Sequence, residues 1–176
     1  MIWTLQIKLL SGLWAEKGWA ATIALDACST LEDLHHIIQE AVGFDNEHLY
    51  GFYVARTPWS RDRVRYTGSV CAGWYDDEGG DEGVDEDDAG EEENVGEEDD
   101  VWEENDLWEE DDTASATTLE SLFPLPKHRR LFYRFDYGDN WIFQISRTRK
   151  KPFAAEPGTE WPRLISETGK KPRQYP

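Results

Sequence analysis

Apolar and polar residues alternate from the first residues of the chain. Trp3, Leu5, Ile7 and Leu9 fall on one face of residues 2–10, and Ala21, Ile23 and Leu25 continue the same two-residue period over residues 19–25. Successive side chains of an extended strand point to opposite faces, so this period predicts two strands, each with one buried face. They are joined through residues 11–18. The period then changes: Leu31, Leu34, Ile38, Ala41 and Val42 recur at helical spacing and predict a helix over residues 30–42. Ser29-Thr30-Leu31-Glu32 reads as a capping box, the Ser29 hydroxyl and the Glu32 carboxylate answering backbone N–H groups of the first turn. Gly43 suits the left-handed C-terminal cap, with Phe44 able to pack beneath it.

Residues 49–56 and 63–70 have the aromatic and β-branched content of further strands. Thr117-Thr118-Leu119-Glu120 offers a second capping box, for a short turn through Leu122 that Pro124 ends. Residues 131–137 and 141–148 are two β-rich runs around Gly138-Asp139-Asn140, which tolerates the positive φ of a tight turn, and so predict a hairpin. Five prolines from Pro152 onward predict an extended tail, packed over the surface by Trp161 and Tyr175. The sum is an α+β fold, a mostly antiparallel sheet on one main helix, in a β-grasp-like arrangement.

Charge divides this picture in two. The net charge is −19, yet residues 76–112 hold 23 of the 37 acidic residues and no Lys or Arg, which leaves the rest of the chain at +4. Residues 127–176 alone carry 12 basic against 5 acidic side chains. One domain spanning residues 1–176 is therefore expected, interrupted at residues 76–115 by a long disordered acidic insert.

Several chemistries find no support. The alternation of the first ten residues is not the continuous apolar run of a signal peptide, and no stretch approaches the ~18 apolar residues of a membrane span, so a cytoplasmic protein without membrane attachment is expected. Cys28 and Cys71 fit no CxxC or zinc-ligand spacing and read as buried, reduced thiols. An EF-hand register starting at Asp85 fails, with Ala89 at the fifth ligand position and Gly96 where Glu is required. The glycine-rich motifs of dinucleotide, P-loop and α/β-hydrolase sites are absent. No cofactor and no metal is expected.

The motifs that remain are distributed along the chain in one order. They are Leu31-Glu32-Asp33-Leu34-His35-His36-Ile37-Ile38-Gln39, Val42-Gly43-Phe44-Asp45, His48-Leu49-Tyr50-Gly51-Phe52, the Leu119 to Leu122 turn and Phe135-Asp136-Tyr137-Gly138-Asp139-Asn140-Trp141. Together they resemble the plasmid pRiA4b ORF-3-like family, with its L-x-x-L-H-x-x-I-Q helix, G-[WF]-D exit, H-L-x-x-F strand start and Y-D-[FY]-G-D-x-W hairpin. Pro172-Arg173-Gln174-Tyr175-Pro176 resembles the tail of some members. The resemblance implies an uncharacterised protein of plasmid or mobile-element type. The length and acidity of the insert depart from the family pattern, and no serine stands in the context of a resolvase nucleophile.

Three functional readings remain. The first is a non-enzymatic protein-interaction module. Val101-Trp102 and Leu107-Trp108 open a six-residue near-repeat in which each Trp can anchor and the acids speed encounter, with a basic partner or with the chain's own basic face. The second is a nucleic-acid-binding domain autoinhibited by the insert. Arg61, Arg63, Arg65, Arg147, Arg149, Lys150 and Lys151 would contact phosphates, and Trp3, Trp14, Trp19, Trp59, Trp141 and Trp161 would provide stacking rings. The third is an enzyme or metal site gathered from His35, His48, Asp136 and Asp139. Its plainer alternative has His35 packed on the helix, His48 capping a strand and the two Asp side chains bonding turn amides.

Overall fold

The computed structural model describes residues 1–15, 18–68 and 113–175. The chain divides into one unit of Met1–Val70 with Asp111–Pro176 and a second of Cys71–Glu110. Every strand and helix among the described residues belongs to the first unit. Val101, Trp102, Leu107 and Trp108 lie outside the described residues.

Both N-terminal strands form, as β1 (Ile2–Ser11) and β2 (Ala20–Asp26), followed by helix α1 (Leu31–Val42), β3 (Tyr50–Ala55) and β4 (Arg63–Thr67). Two short helices, α2 (Thr113–Ala116) and α3 (Leu119–Leu122), precede the hairpin of β5 (Arg130–Phe135) and β6 (Trp141–Arg147), with β7 (Arg163–Thr168) after it. The seven strands make one sheet in the order β4-β3-β5-β6-β1-β2-β7. Every neighbouring pair is antiparallel. A β-grasp places its first and last strands side by side and parallel, so that expectation is corrected: β1 runs antiparallel to β6.

The alternation read from the sequence sets which face is apolar. Leu5, Ile7, Phe52, Val54, Leu131, Tyr133, Trp141 and Phe143 point to the side covered by α1, where Leu34, Ile38 and Val42 meet them in the main core. Gly12 lies so close to the Trp141 ring that any Cβ there would overlap it, which lets the fully buried indole sit under the β1–β2 turn.

The caps form one residue later than the sequence suggests. Thr30, not Ser29, is the N-cap of α1; its hydroxyl accepts from the Asp33 amide while Asp33 accepts from the Thr30 amide. Thr118 likewise caps α3 through Ser121. Gly43 does take the left-handed conformation and donates to the Gln39 carbonyl, with Phe44 packed against Phe135 and Trp141. The tail is extended over Arg163–Thr168, and there it goes further than packing on the surface. Residues Arg163–Thr168 form an edge strand on β2, and the Trp19 indole donates to Glu167 across that pair at 2.6 Å.

Candidate functional site

The four residues of the enzyme reading go to different places. His35 is buried on α1, its ring stacked on Tyr50 at 3.5 Å, and its Nδ1 lies 2.7 Å from the Tyr133 hydroxyl. The same hydroxyl accepts from Gln39 Nε2 at 2.7 Å, so its single proton goes to His35 Nδ1, which fixes the imidazole as the Nε2–H tautomer. Burial, with His36 nearby, pushes His35 down to about 4, and burial also holds Tyr133 well above its usual value. Both groups are neutral at ordinary pH. This is a closed polar pair inside an aromatic cluster, with no open position for a substrate.

His48 and Asp136 do meet, but in a different company. His48 Nε2 lies 2.9 Å from the Tyr175 hydroxyl and 3.8 and 3.9 Å from carboxylate oxygens of Asp136 and Asp45. Tyr175 donates to Asp45 at 2.9 Å, and Gln174 donates to both Asp45 and Tyr175 while accepting from the Asp45 amide. Burial raises the Asp45 carboxyl, but the hydrogen bonds from Gln174, the Glu47 amide and Tyr175 outweigh it and hold the group below its ordinary value. Asp136 adopts a positive φ and spends one oxygen on the Gly138 and Asp139 amides, the turn role of the plainer reading. Asp139 contributes that amide to the turn. Four of the motifs that carry the family resemblance therefore converge here: the helix exit, the strand start, the hairpin turn and the tail. What they build is a clamp that ties the tail across the end of α1 and the β5–β6 turn.

A second surface lies on the other side of the sheet. Cross-strand register puts Arg63 and Arg65 opposite Ala55 and Tyr53, and Arg130 and Arg134 opposite Ala55 and Gly51, all on the face away from α1. Lys8 joins them through its pairing with Gln144. The strands carry only Asp26 and Glu167 as acids. Asp26 is engaged by the N-terminal ammonium, and Glu167 by Trp19 on the helix side. On the open face the cations thus stand without a carboxylate from any strand. Tyr53, Ala55, Phe132 and Ile142 form its buried apolar floor.

The remaining candidates divide. Arg147 sits on the helix side, stacked over Trp3 at 3.7 Å, and Arg61, Arg149, Lys150 and Lys151 are exposed in loops. The expected stacking surface of tryptophans does not form. Trp19 and Trp141 are fully buried in the helix-side core, Trp3 packs on Phe123 and Trp161 on Phe153, which leaves Trp14, exposed in the β1–β2 connection, and Trp59, which lines a pocket with Arg63 and Arg134 of the basic face. Cys28, expected to be buried, is exposed, and its thiol is raised by donating to Glu120. Sequence reasoning missed Lys8, Arg130 and Arg134; their signal was strand alternation, which sets each on the face opposite the apolar series.

Among the described residues, no three His, Cys, Asp or Glu side chains are arranged to hold a metal ion, and no helix is long and apolar enough to cross a membrane. Among curated proteins, none matches the chain. The fold is similar to the crystal structure of MM3350, a protein of unknown function from Methanosarcina mazei Go1. The TM-score is 0.56 at 16% identity, over 94% of this chain and 68% of that one. Residues 13–174, which include every strand but β1, match the family described as plasmid pRiA4b ORF-3-like protein, and the chain belongs to that family.

Proposed function

We propose that the protein is a non-enzymatic interaction module whose open, arginine-lined sheet face docks an anionic partner, with the acidic segment acting as a tethered competitor. The observation that carries this is the gathering of Lys8, Arg63, Arg65, Arg130 and Arg134 on one face without a strand carboxylate to neutralise them. Structural cations on a sheet usually pair across strands, because like charges placed opposite each other destabilise it. A face kept cationic is matched to a ligand that brings the opposite charge. Residues 76–112 supply −23 in the same chain, so any external polyanion meets a competitor at high effective concentration.

The test compares the full chain with a variant lacking residues 77–112, titrating each with a peptide of sequence 97–112 and with single-stranded DNA at low and high salt. The deletion variant gains salt-sensitive binding to at least one polyanion, and Arg65→Gln with Arg130→Gln removes it. Equal binding by the full chain and the deletion variant sinks the competitor role. No binding by either sinks the docking face. The clamp favours no second reading: its hydrogen bonds are satisfied internally.

A further inference from the structure

Within the open face, one pocket differs from the surface around it. Tyr53 and Ile142 form its base, and Pro58 and Trp59 of the β3–β4 loop form its wall, held down by the Tyr53 hydroxyl donating to the Pro58 carbonyl at 3.0 Å. Arg63, Arg134 and Asn140 supply its polar lining. The two guanidiniums come from different strands, β4 and β5, yet both act on one hydroxyl. Burial raises Tyr53, and both Arg63 and Arg134 pull against that rise.

Three polar atoms of this lining are out of contact with solvent and have no hydrogen-bond partner among the described residues. They are Arg63 Nε, Arg134 Nε and Asn140 Oδ1. An unpartnered buried polar group is costly, more so when it is charged. Neither guanidinium has a carboxylate within salt-bridge distance among the described residues: Arg134 stacks over Tyr137 and reaches its carbonyl only at 3.5 Å, and Arg63 lies over Tyr53. Asn140 is held in place by a positive φ and by its amide donating to the Asp136 carbonyl at 2.6 Å, so its side chain is a fixed part of the wall. Two guanidinium Nε donors and one amide oxygen acceptor, lining one pocket without internal partners, describe the complement of a ligand.

We infer that this pocket binds inorganic phosphate, which keeps at least one P–OH at neutral pH. Its charged oxygens satisfy the guanidiniums, the pairing for which the arginine fork is best shaped. Its P–OH donates to Asn140 Oδ1, which neither a sulfate nor a carboxylate can do at neutral pH. The volume of about 190 Å³ is smaller than that of a cleft for a whole drug-sized molecule, at about 300 Å³ and above. It therefore suits the small inorganic anion itself. The inference rests on the open-face reading and deepens it, by naming the chemistry of the anion.

The experiment uses the full chain and inorganic phosphate as the probe, with calorimetric titration in a sulfate-free, low-salt buffer. Saturable phosphate binding is expected, weakened about tenfold or more by Arg134→Gln and by Arg63→Gln, and sulfate is expected to bind about tenfold more weakly than phosphate. Thermal melts guard against a variant that merely unfolds: Arg134→Gln and Arg63→Gln each remove a buried, unpaired charge, so both melt at or above the wild-type temperature while phosphate binding weakens. Arg65→Gln, on the same face but outside the pocket, leaves phosphate binding within about twofold. No phosphate heat up to about 10 mM from either the full chain or the variant lacking residues 77–112 overturns the site, as does undiminished binding by Arg63→Gln and Arg134→Gln. Sulfate binding as tightly as phosphate overturns the role given to Asn140. Loss of polyanion docking with phosphate binding intact breaks the open-face reading alone.

Discussion

The two faces of the sheet are built from the same strands in strict alternation, yet they solve opposite problems. On the helix side the buried polar groups are few and neutral: Tyr133 bonds both His35 and Gln39, Glu167 accepts from the Trp19 indole, and only Gln39 Oε1 and Trp141 Nε1 of the main core are left without a partner among the described residues. On the open side, Arg63 and Arg134 line one pocket with Nε atoms that nothing in the described chain accepts. The lesson is that charge, not hydrogen-bond satisfaction, separates the faces: the helix-side core leaves neutral groups unpaired, and the open face gathers cations that no strand carboxylate neutralises. A protein optimised only to fold would have placed carboxylates opposite Arg65 and Arg130.

That contrast can be broken in order of expected size. Trp141→Ala removes the largest ring under Gly12 and should cost about 3–5 kcal/mol, read as a lower denaturant midpoint. A cost below that of an ordinary surface substitution would mean the helix side is not the stabilising one.

The second test uses acid. His35 binds its proton at about 4 in the fold against about 6.5 when exposed, so between those values the unfolded chain takes up more protons than the native one. Its contribution is fully present above pH 6.5 and is lost as pH falls toward 4, on the order of 3 kcal/mol in all. Denaturation of wild type and His35→Asn at several pH values checks this. Other carboxylates titrate in both proteins, so the stability gap between them should narrow on acidification; a gap that stays constant removes His35 as a buried neutral base.

The smallest effect belongs to the open face. Arg65→Gln with Arg130→Gln should change unfolding free energy by less than about 0.5 kcal/mol. A large loss in thermal or chemical melts would place these residues among the structural ones and erase the distinction between the faces.

Much of the fold could be read from periodicity, because a strand or helix that buries one side must repeat its apolar residues at 2.0 or 3.6. The places where reading failed have specific causes. Ser29 and Thr30 are adjacent hydroxyls, with acids three residues beyond each at Glu32 and Asp33, so local chemistry permits either cap and only the chain path, through the Thr30 to Thr118 bridge, chooses. Strand β7 is exposed at every position, so no burial pattern marks it; its register comes from β2, more than a hundred residues away. The clamp was half visible, since His48 and Asp136 stood out by type. Asp45 and Gln174 stand in separate motifs, and only the return of the tail to the end of α1 shows that they bond. The pocket could not be read at all from sequence order: it needs the β3–β4 loop laid over two arginines that lie about seventy residues apart in the chain.

The place where the acidic segment leaves and rejoins has a practical consequence. The chain departs after β4, the strand at one edge of the sheet, and returns at α2, which packs against β4. An excursion whose two ends are already neighbours closes a loop whose entropic cost grows only with the logarithm of its length. No internal strand pairing depends on what lies between. This edge is therefore a grafting port: a reporter domain or a foreign peptide substituted there should leave the hydrogen-bond ladder of the other six strands as it is, and relatives are free to carry excursions of very different size and charge at the same point.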